Sequence, residues 1–151
     1  MQTGDTADLI ISIVSIIGIV ALVGAVIYGV VQAIIYSRKM KEKTAEYIKA
    51  LTDEQLDILS NTPYRNLGDP KRPNAVVVKG MVMDMREKGS KTEFSILFYD
   101  RYFPNSDGLT VTDIVKLPTN KVEKMGICMH CYVDMVLNED KTPEIINVAK
   151  M

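Results

Sequence analysis

The sequence predicts a single transmembrane α-helix, short juxtamembrane helices and a small all-β domain. Three patterns lead to this fold class. An uncharged apolar run extends from Leu9 to Tyr36, a helix-capping sequence begins at Thr52, and from Ala75 onward apolar residues alternate with polar ones. The predicted divisions are a short extracytoplasmic tail at 1–8, the membrane helix at 9–36, juxtamembrane helices at 37–61, a proline-rich linker at 62–74 and the β-domain at 75–151.

The apolar run is long enough to cross a bilayer as a helix. Its 28 residues contain no Asp, Glu, Lys, Arg or His, and only Ser12, Ser15 and Gln32 interrupt its apolar character. At about 1.5 Å per residue it reaches roughly 42 Å, against a hydrocarbon core of roughly 30 Å. A core helix in so small a protein would need a polar face toward water, so the membrane is its expected solvent.

Charges on either side of the run predict its orientation. The residues before it carry only Asp5 and Asp8, whereas a basic cluster follows it directly, made of Arg38, Lys39, Lys41 and Lys43. The positive-inside rule then places the N-terminus outside the cell membrane and the C-terminal domain in the cytoplasm. A cleaved signal peptide is not expected, since no basic segment or small-residue cleavage site is present. Cytoplasmic thiols are reduced by default.

In the second half of the run, small residues recur at every fourth position, and these are Ala21, Ala25, Gly29 and Ala33. This spacing aligns them on one side of the helix, where a second helix can approach closely. The spacing therefore predicts packing against another membrane helix, from a copy of the chain or from a partner subunit. The alternative is that Ala and Gly are simply common in membrane helices.

A narrow apolar stripe continues beyond the run, and it consists of Tyr36, Met40, Thr44, Tyr47, Ile48 and Leu51. It allows contact with lipid headgroups, with a copy of itself or with the following domain. Thr52 and Gln55 then have the spacing of a capping box at the start of a second helix. That helix must end before Pro63, because the residue preceding a proline avoids helical geometry.

Five strands and one helical turn are predicted in the β-domain. The strands are Ala75–Arg86, Lys91–Asp100, Leu109–Leu117, Ile127–Leu137 and Glu144–Ala149, and the helical turn is Lys121–Met125. Gly80 in the first strand indicates a bulge or bend. The predicted core comprises Val78, Val82, Phe94, Ile96, Phe98, Val111, Val115, Cys131, Val133 and Met135.

The order of these elements resembles an oligonucleotide/oligosaccharide-binding (OB) barrel, which implies a five-stranded antiparallel barrel or a closely curled sheet. A membrane helix followed by a small cytosolic five-stranded barrel also resembles the soluble end of NfeD-type membrane proteins. The segment Val78-Lys79-Gly80-Met81-Val82, followed by Phe94–Asp100 and Gly126–Val133, is similar to uncharacterised bacterial proteins in which a span precedes a strand of the form V-x-G-x-V. NfeD-type proteins usually carry several spans, whereas one is predicted here. The resemblance implies a membrane-anchored barrel.

Cys128, His130 and Cys131 are the one group with the residue types of a metal or thiol site. In an extended strand, however, Cys131 would lie on the apolar face, with Cys128 and His130 on the other. Core packing of Cys131 is therefore the favoured interpretation. A thiol-dependent sensor, or a zinc ion shared between two chains, is the alternative.

A second candidate surface lies near the end of the second strand, at Tyr99, Arg101, Tyr102 and Phe103. Tyrosine and arginine are enriched in interface hot spots, so a protein-binding patch is the favoured interpretation. Aromatic residues can also stack on bases, but the nearly balanced charge provides no basic groove for nucleic acid.

No catalytic signature is apparent: there is no glycine-rich phosphate loop, no nucleophile motif near the single histidine and no recognisable acid pair. We therefore predict no enzyme activity and no cofactor, with zinc as the alternative. The expected role is a single-pass adaptor subunit of a membrane complex, in contact with lipid, another helix and a cytosolic protein. The runners-up are the thiol or zinc sensor and a membrane tether for nucleic acid.

Overall fold

The structure, a computed structural model, describes residues 2–101, 108–138 and 143–149. Its chain divides into two compact units, Met1–Met40 and Lys41–Met151. The first is helical, and the second contains a small antiparallel sheet with helical segments.

Helix α1 extends over Gln2–Ala50, so the predicted tail before Leu9 is helical as well. Every side chain described from residue 4 to residue 39 is exposed. By length and composition, this helix suits a membrane span or a signal sequence.

The end of α1 belongs to the second unit and has one half-buried side. Thr44, Tyr47 and Ile48 are half-buried, whereas the residues between them are exposed. The ammonium of Lys43 donates to the hydroxyl of Ser95 at 2.9 Å. Of the three roles open to the apolar stripe, packing on the following domain is the one that this burial supports.

Helix α2, Asp53–Asn61, begins at the predicted capping box. The backbone amide of Gln55 donates to Thr52 Oγ1, and the amide of Thr52 donates to Gln55 Oε1. Thr62 is extended, as expected before Pro63. The following segment is more than a linker, because strand β1, Arg65–Asn66, pairs with Val77 and Val76.

The strands that follow are β2 (Val76–Lys88), β3 (Lys91–Asp100), β4 (Gly108–Pro118), β5 (Tyr132–Leu137) and β6 (Glu144–Val148). They are antiparallel in the order β4-β3-β2-β5-β6, and β1 pairs separately with β2. The predicted closed barrel is wrong, since closure would require hydrogen bonds between β4 and β6. No such ladder joins these strands in the part of the chain that the structure describes, and the sheet stays open.

The bulge in β2 lies at Met83, between the pairs Val82↔Ile96 and Asp84↔Ser95. Gly80, where it was predicted, is regularly paired with Phe98 and with Val133. A Cβ added at Gly80 would lie 2.6 Å from Ile96 Cγ2. Glycine is therefore needed here for close packing rather than for a bend.

An ion-pair cluster joins the β2–β3 hairpin to β4. Glu93 contacts the ammonium of Lys88 at 3.0 Å and that of Lys116 at 3.1 Å. The hydrogen bond from Lys88, then that from Lys116, holds the pKa of the Glu93 carboxyl below its ordinary value.

One side of the sheet carries the main core, which holds eight of the predicted core residues. With Val111, nine of the ten are buried. The exception is Cys131, which is only half-buried against that core. The other side is not open to water either, because Met81, Met83 and Leu97 are also buried. Helix α2 contacts β2, β3 and β4 and buries Leu59.

A third helix, α3, extends over Thr119–Met125 and connects β4 to the segment before β5. It is slightly longer than the helical turn predicted there. Its side chain Val122 joins the core, and Gly126 ends the helix with a φ of 72°. Glycine adopts this left-handed conformation without a steric penalty.

Candidate functional site

The segment before β5 is a tight turn and not a strand, so the prediction that β5 begins at Ile127 is wrong. The backbone amide of Cys131 donates to the carbonyl of Cys128 at 3.3 Å, which closes a four-residue turn. Met129 and His130 form its exposed centre. The assignment of Cys128 and Cys131 to opposite faces of a strand is corrected accordingly.

Val82 of β2 holds this turn in place. The amide of His130 donates to the Val82 carbonyl at 2.8 Å, and the Val82 amide donates to the Cys131 carbonyl at 3.0 Å. His130 and Cys131 thus lie opposite a single residue, and His130 has a φ of 62°. This pattern defines a G1 bulge, whose first position is usually glycine. Histidine is among the residues that tolerate this conformation, at a cost.

The turn brings the two thiols together. The backbone amide of Cys128 donates to Cys131 Sγ at 3.5 Å, and both cysteines are free. Cys128 is exposed, whereas Cys131 is half-buried. Burial raises the pKa of the Cys131 thiol above its ordinary value, and the hydrogen bond from the Cys128 amide opposes that rise only in part. Cys128 is accordingly the thiol that an external reagent reaches first.

A cleft of about 440 Å³ adjoins the turn. One wall comes from the start of α2, including Glu54 and Ile58, and the other from His130, Cys131 and Tyr132. Burial, and secondarily the charge of Glu54, raises the pKa of the Tyr132 hydroxyl. The amide of Ala149 donates to the Tyr132 carbonyl at 2.9 Å and fixes the end of β6 at the rim.

A metal site requires more donors than the turn brings together. Among the described residues, no group of three or more His, Cys, Asp or Glu side chains is placed to hold a metal ion. Cys128, His130 and Cys131 therefore do not constitute such a group within one chain. The predicted zinc alternative gains no support from this geometry.

The candidate surface near the end of β3 is partly engaged within the domain. The guanidinium of Arg101 lies 4.5 Å from the centre of the Tyr99 ring and also donates to the Ser60 carbonyl. The hydroxyl of Tyr64 donates to the Tyr99 carbonyl and accepts from the Arg101 amide, both at 2.7 Å. Tyr102 and Phe103 lie outside the described residues, and binding at this surface stays a prediction.

The small-residue line of α1 is exposed along its whole length, from Ala21 through Ala25 and Gly29 to Ala33. A Cβ added at Gly29 would meet nothing within 4 Å. The line is thus geometrically open to a second helix.

Comparison of the chain with models of protein families, with characterised proteins and with solved structures gives no match. Sequence reasoning missed the turn and its bulge, because His130 occupies the left-handed position at which glycine would have signalled them.

Proposed function

We propose that this protein is a single-pass membrane adaptor whose α1 helix assembles with a second membrane helix and whose β-domain binds a cytosolic protein. The observation that carries the proposal is the complete exposure of the apolar part of α1, residues 9–36. Such a surface in water would cost about 25 cal/mol for each Å² of apolar area. Lipid, together with a partner helix, removes that cost.

The small-residue line supports helix assembly within the membrane. Lipid tails are as apolar as the side chains, so association there depends on close packing. Gly29 offers that packing because a Cβ added there would meet nothing within 4 Å, and Ala25 lies one turn away on the same side of the helix. The partner helix is that of a copy of the chain or of another subunit.

The sheet supports a binding role for the second unit. Its open order leaves β4 and β6 at the two edges, and edge strands are available for pairing with an added strand. Bulges in β2, β4 and β6 bend their strands, and such bends are common where a sheet forms a binding surface. The patch at Tyr99 and Arg101 is the proposed protein contact.

The helix partnership is tested by small-to-large substitution in the full-length chain. Gly29→Phe and Ala25→Phe should weaken association by about 1–2 kcal/mol, or roughly 5- to 30-fold, because packing contacts are all that is lost. Gly24→Phe is the matched control, since Gly24 is equally open but lies off the line. Fluorescence energy transfer between labelled chains, or between chain and co-purified subunit, measures the change. Equal effects of Gly24→Phe and Gly29→Phe would contradict the proposal.

The proposed topology, with the N-terminus outside, rests on the four basic residues that follow Tyr36. A reporter fused after Met151 should be active in the cytoplasm, and N-terminal sequencing of the membrane-bound protein should return the intact start of the chain. A reporter signal from outside the membrane would overturn the orientation. A new N-terminus beyond residue 36 would identify α1 as a signal sequence.

A further inference from the structure

The turn at residues 128–131 places two thiols at positions from which they can bond to each other. The Cα atoms at the ends of a β-turn lie within about 7 Å, and a disulfide needs roughly 4.4–6.8 Å. The Cys128 amide already donates to Cys131 Sγ at 3.5 Å, so the Cys131 side chain is directed back toward Cys128. The backbone therefore needs little rearrangement to bring sulfur onto sulfur.

We propose that Cys128 and Cys131 form a reversible intramolecular disulfide, with a low-molecular-weight disulfide such as oxidised glutathione as the oxidant. This modification site is independent of the proposed adaptor function, because it depends only on the geometry of the second unit. In a reducing compartment such bonds are transient and serve redox sensing.

The two thiols have different parts in the reaction. Cys128 is exposed, so its thiolate attacks one sulfur of the oxidant, breaks the S–S bond and releases one thiol. Cys131 then loses its proton to solvent, and its thiolate attacks Cys128 Sγ and releases the second thiol. The two cysteines are oxidised to one disulfide, the oxidant is reduced to two thiols, and their two protons appear on those thiols. The pKa of the half-buried Cys131 thiol is raised by burial, so Cys131 is suited to the second, intramolecular step rather than to the first attack.

The bulge explains why the bond would affect more than the turn itself. His130 and Cys131 are hydrogen-bonded to Val82 of the central strand, and both line the cleft beside α2. A disulfide would fix the turn against β2 and hold His130 in its left-handed conformation. The shape of the cleft entrance thus becomes dependent on the oxidation state of the two cysteines.

The composition of the chain makes the test direct, since these are its only two cysteines. The full-length protein in detergent micelles is equilibrated with oxidised glutathione, alkylated with iodoacetamide and weighed as an intact chain. We expect a monomer that has lost two hydrogen atoms, carries no alkyl group and regains both thiols in dithiothreitol. A stable glutathione adduct on Cys128 with Cys131 alkylated, or a disulfide-linked dimer, would overturn the proposal.

Two variants separate ring closure from simple thiol reactivity. Cys131→Ser should accumulate the glutathione adduct that the wild type resolves. Cys131→Ser combined with Met129→Cys keeps two thiols but removes one from the end of the turn, and it should accumulate adducts instead of an internal disulfide. Formation of that disulfide by the double variant would refute the geometric argument. Amide hydrogen exchange in β5 verifies that each variant remains folded.

Discussion

Val133 of β5 offers the most stringent test of the core. Its side chain is fully buried, and its backbone pairs with Gly80 on one side and Val148 on the other. Replacing it by aspartate removes an apolar side chain from the main core and places a carboxyl group among the apolar side chains of that core.

The expected loss in the free energy of unfolding has two contributions. Burial of a valine side chain contributes about 1.5–3 kcal/mol, and an unpaired buried polar group costs about 1–3 kcal/mol even when it is protonated. The sum, roughly 2.5–6 kcal/mol, is a large part of the total stability of about 5–15 kcal/mol of a typical domain. An ionised carboxylate would cost more. Val133→Asp should therefore leave the second unit unfolded or nearly so.

Pulse proteolysis of the full-length chain in micelles, over a series of urea concentrations, measures this stability. Ile114→Asp is the matched control, because the Ile114 side chain lies on β4 and is 52% exposed. Its cost should remain within about 0.5 kcal/mol, as for ordinary surface substitutions. A Val133→Asp midpoint equal to that of Ile114→Asp would refute the placement of β5 in the core.

Three further predictions concern the same unit. Gly80→Ala should destabilise it by about 1–3 kcal/mol in the same assay, because the added Cβ meets Ile96 at 2.6 Å; an unchanged midpoint would contradict this close packing. Glu93→Gln should lower the free energy of unfolding at neutral pH. The difference between variant and wild type should shrink as the pH falls through the depressed pKa of the Glu93 carboxyl, because the wild type then loses the charge that pairs with two lysines. A difference that does not change with pH would contradict that ion pair. A fragment of residues 41–151 should be soluble and give a dispersed NMR spectrum, because it contains the whole second unit. A fragment of residues 75–149 should be less stable, because it lacks α2 and β1. Equal urea midpoints for the two fragments would show that α2 and β1 add nothing to the stability.

The parts of the fold that sequence reasoning predicted correctly are those with local causes. The capping box of α2 depends on two residues three positions apart, and β3 begins and ends where its alternation does. Barrel closure could not be predicted in this way, because it depends on whether two distant strands reach each other. β1 was missed because a two-residue strand has no periodicity.

The candidate site was only partly predictable for a related reason. Alternation from Ile127 through Met129 to Cys131 has the period of a strand, but a bulge inserts a residue that pattern alone does not reveal. The histidine at the left-handed position concealed the turn further, since glycine is the usual signal there. The small-residue line, by contrast, follows from helical spacing alone.

The position of β2 also has a consequence for the order in which the chain folds. Its residues from Gly80 to Lys88 pair with β3, which follows directly after a short hairpin turn. Its residues Val76–Met81 pair with β5, from Leu137 back to Tyr132. Local pairings form quickly and distant ones slowly. During synthesis, one edge of β2 must therefore wait for some fifty further residues before its partner strand emerges. Until then, this edge of β2 is the segment most exposed to mispairing with another nascent chain. A chaperone would be useful between the synthesis of β2 and that of β5.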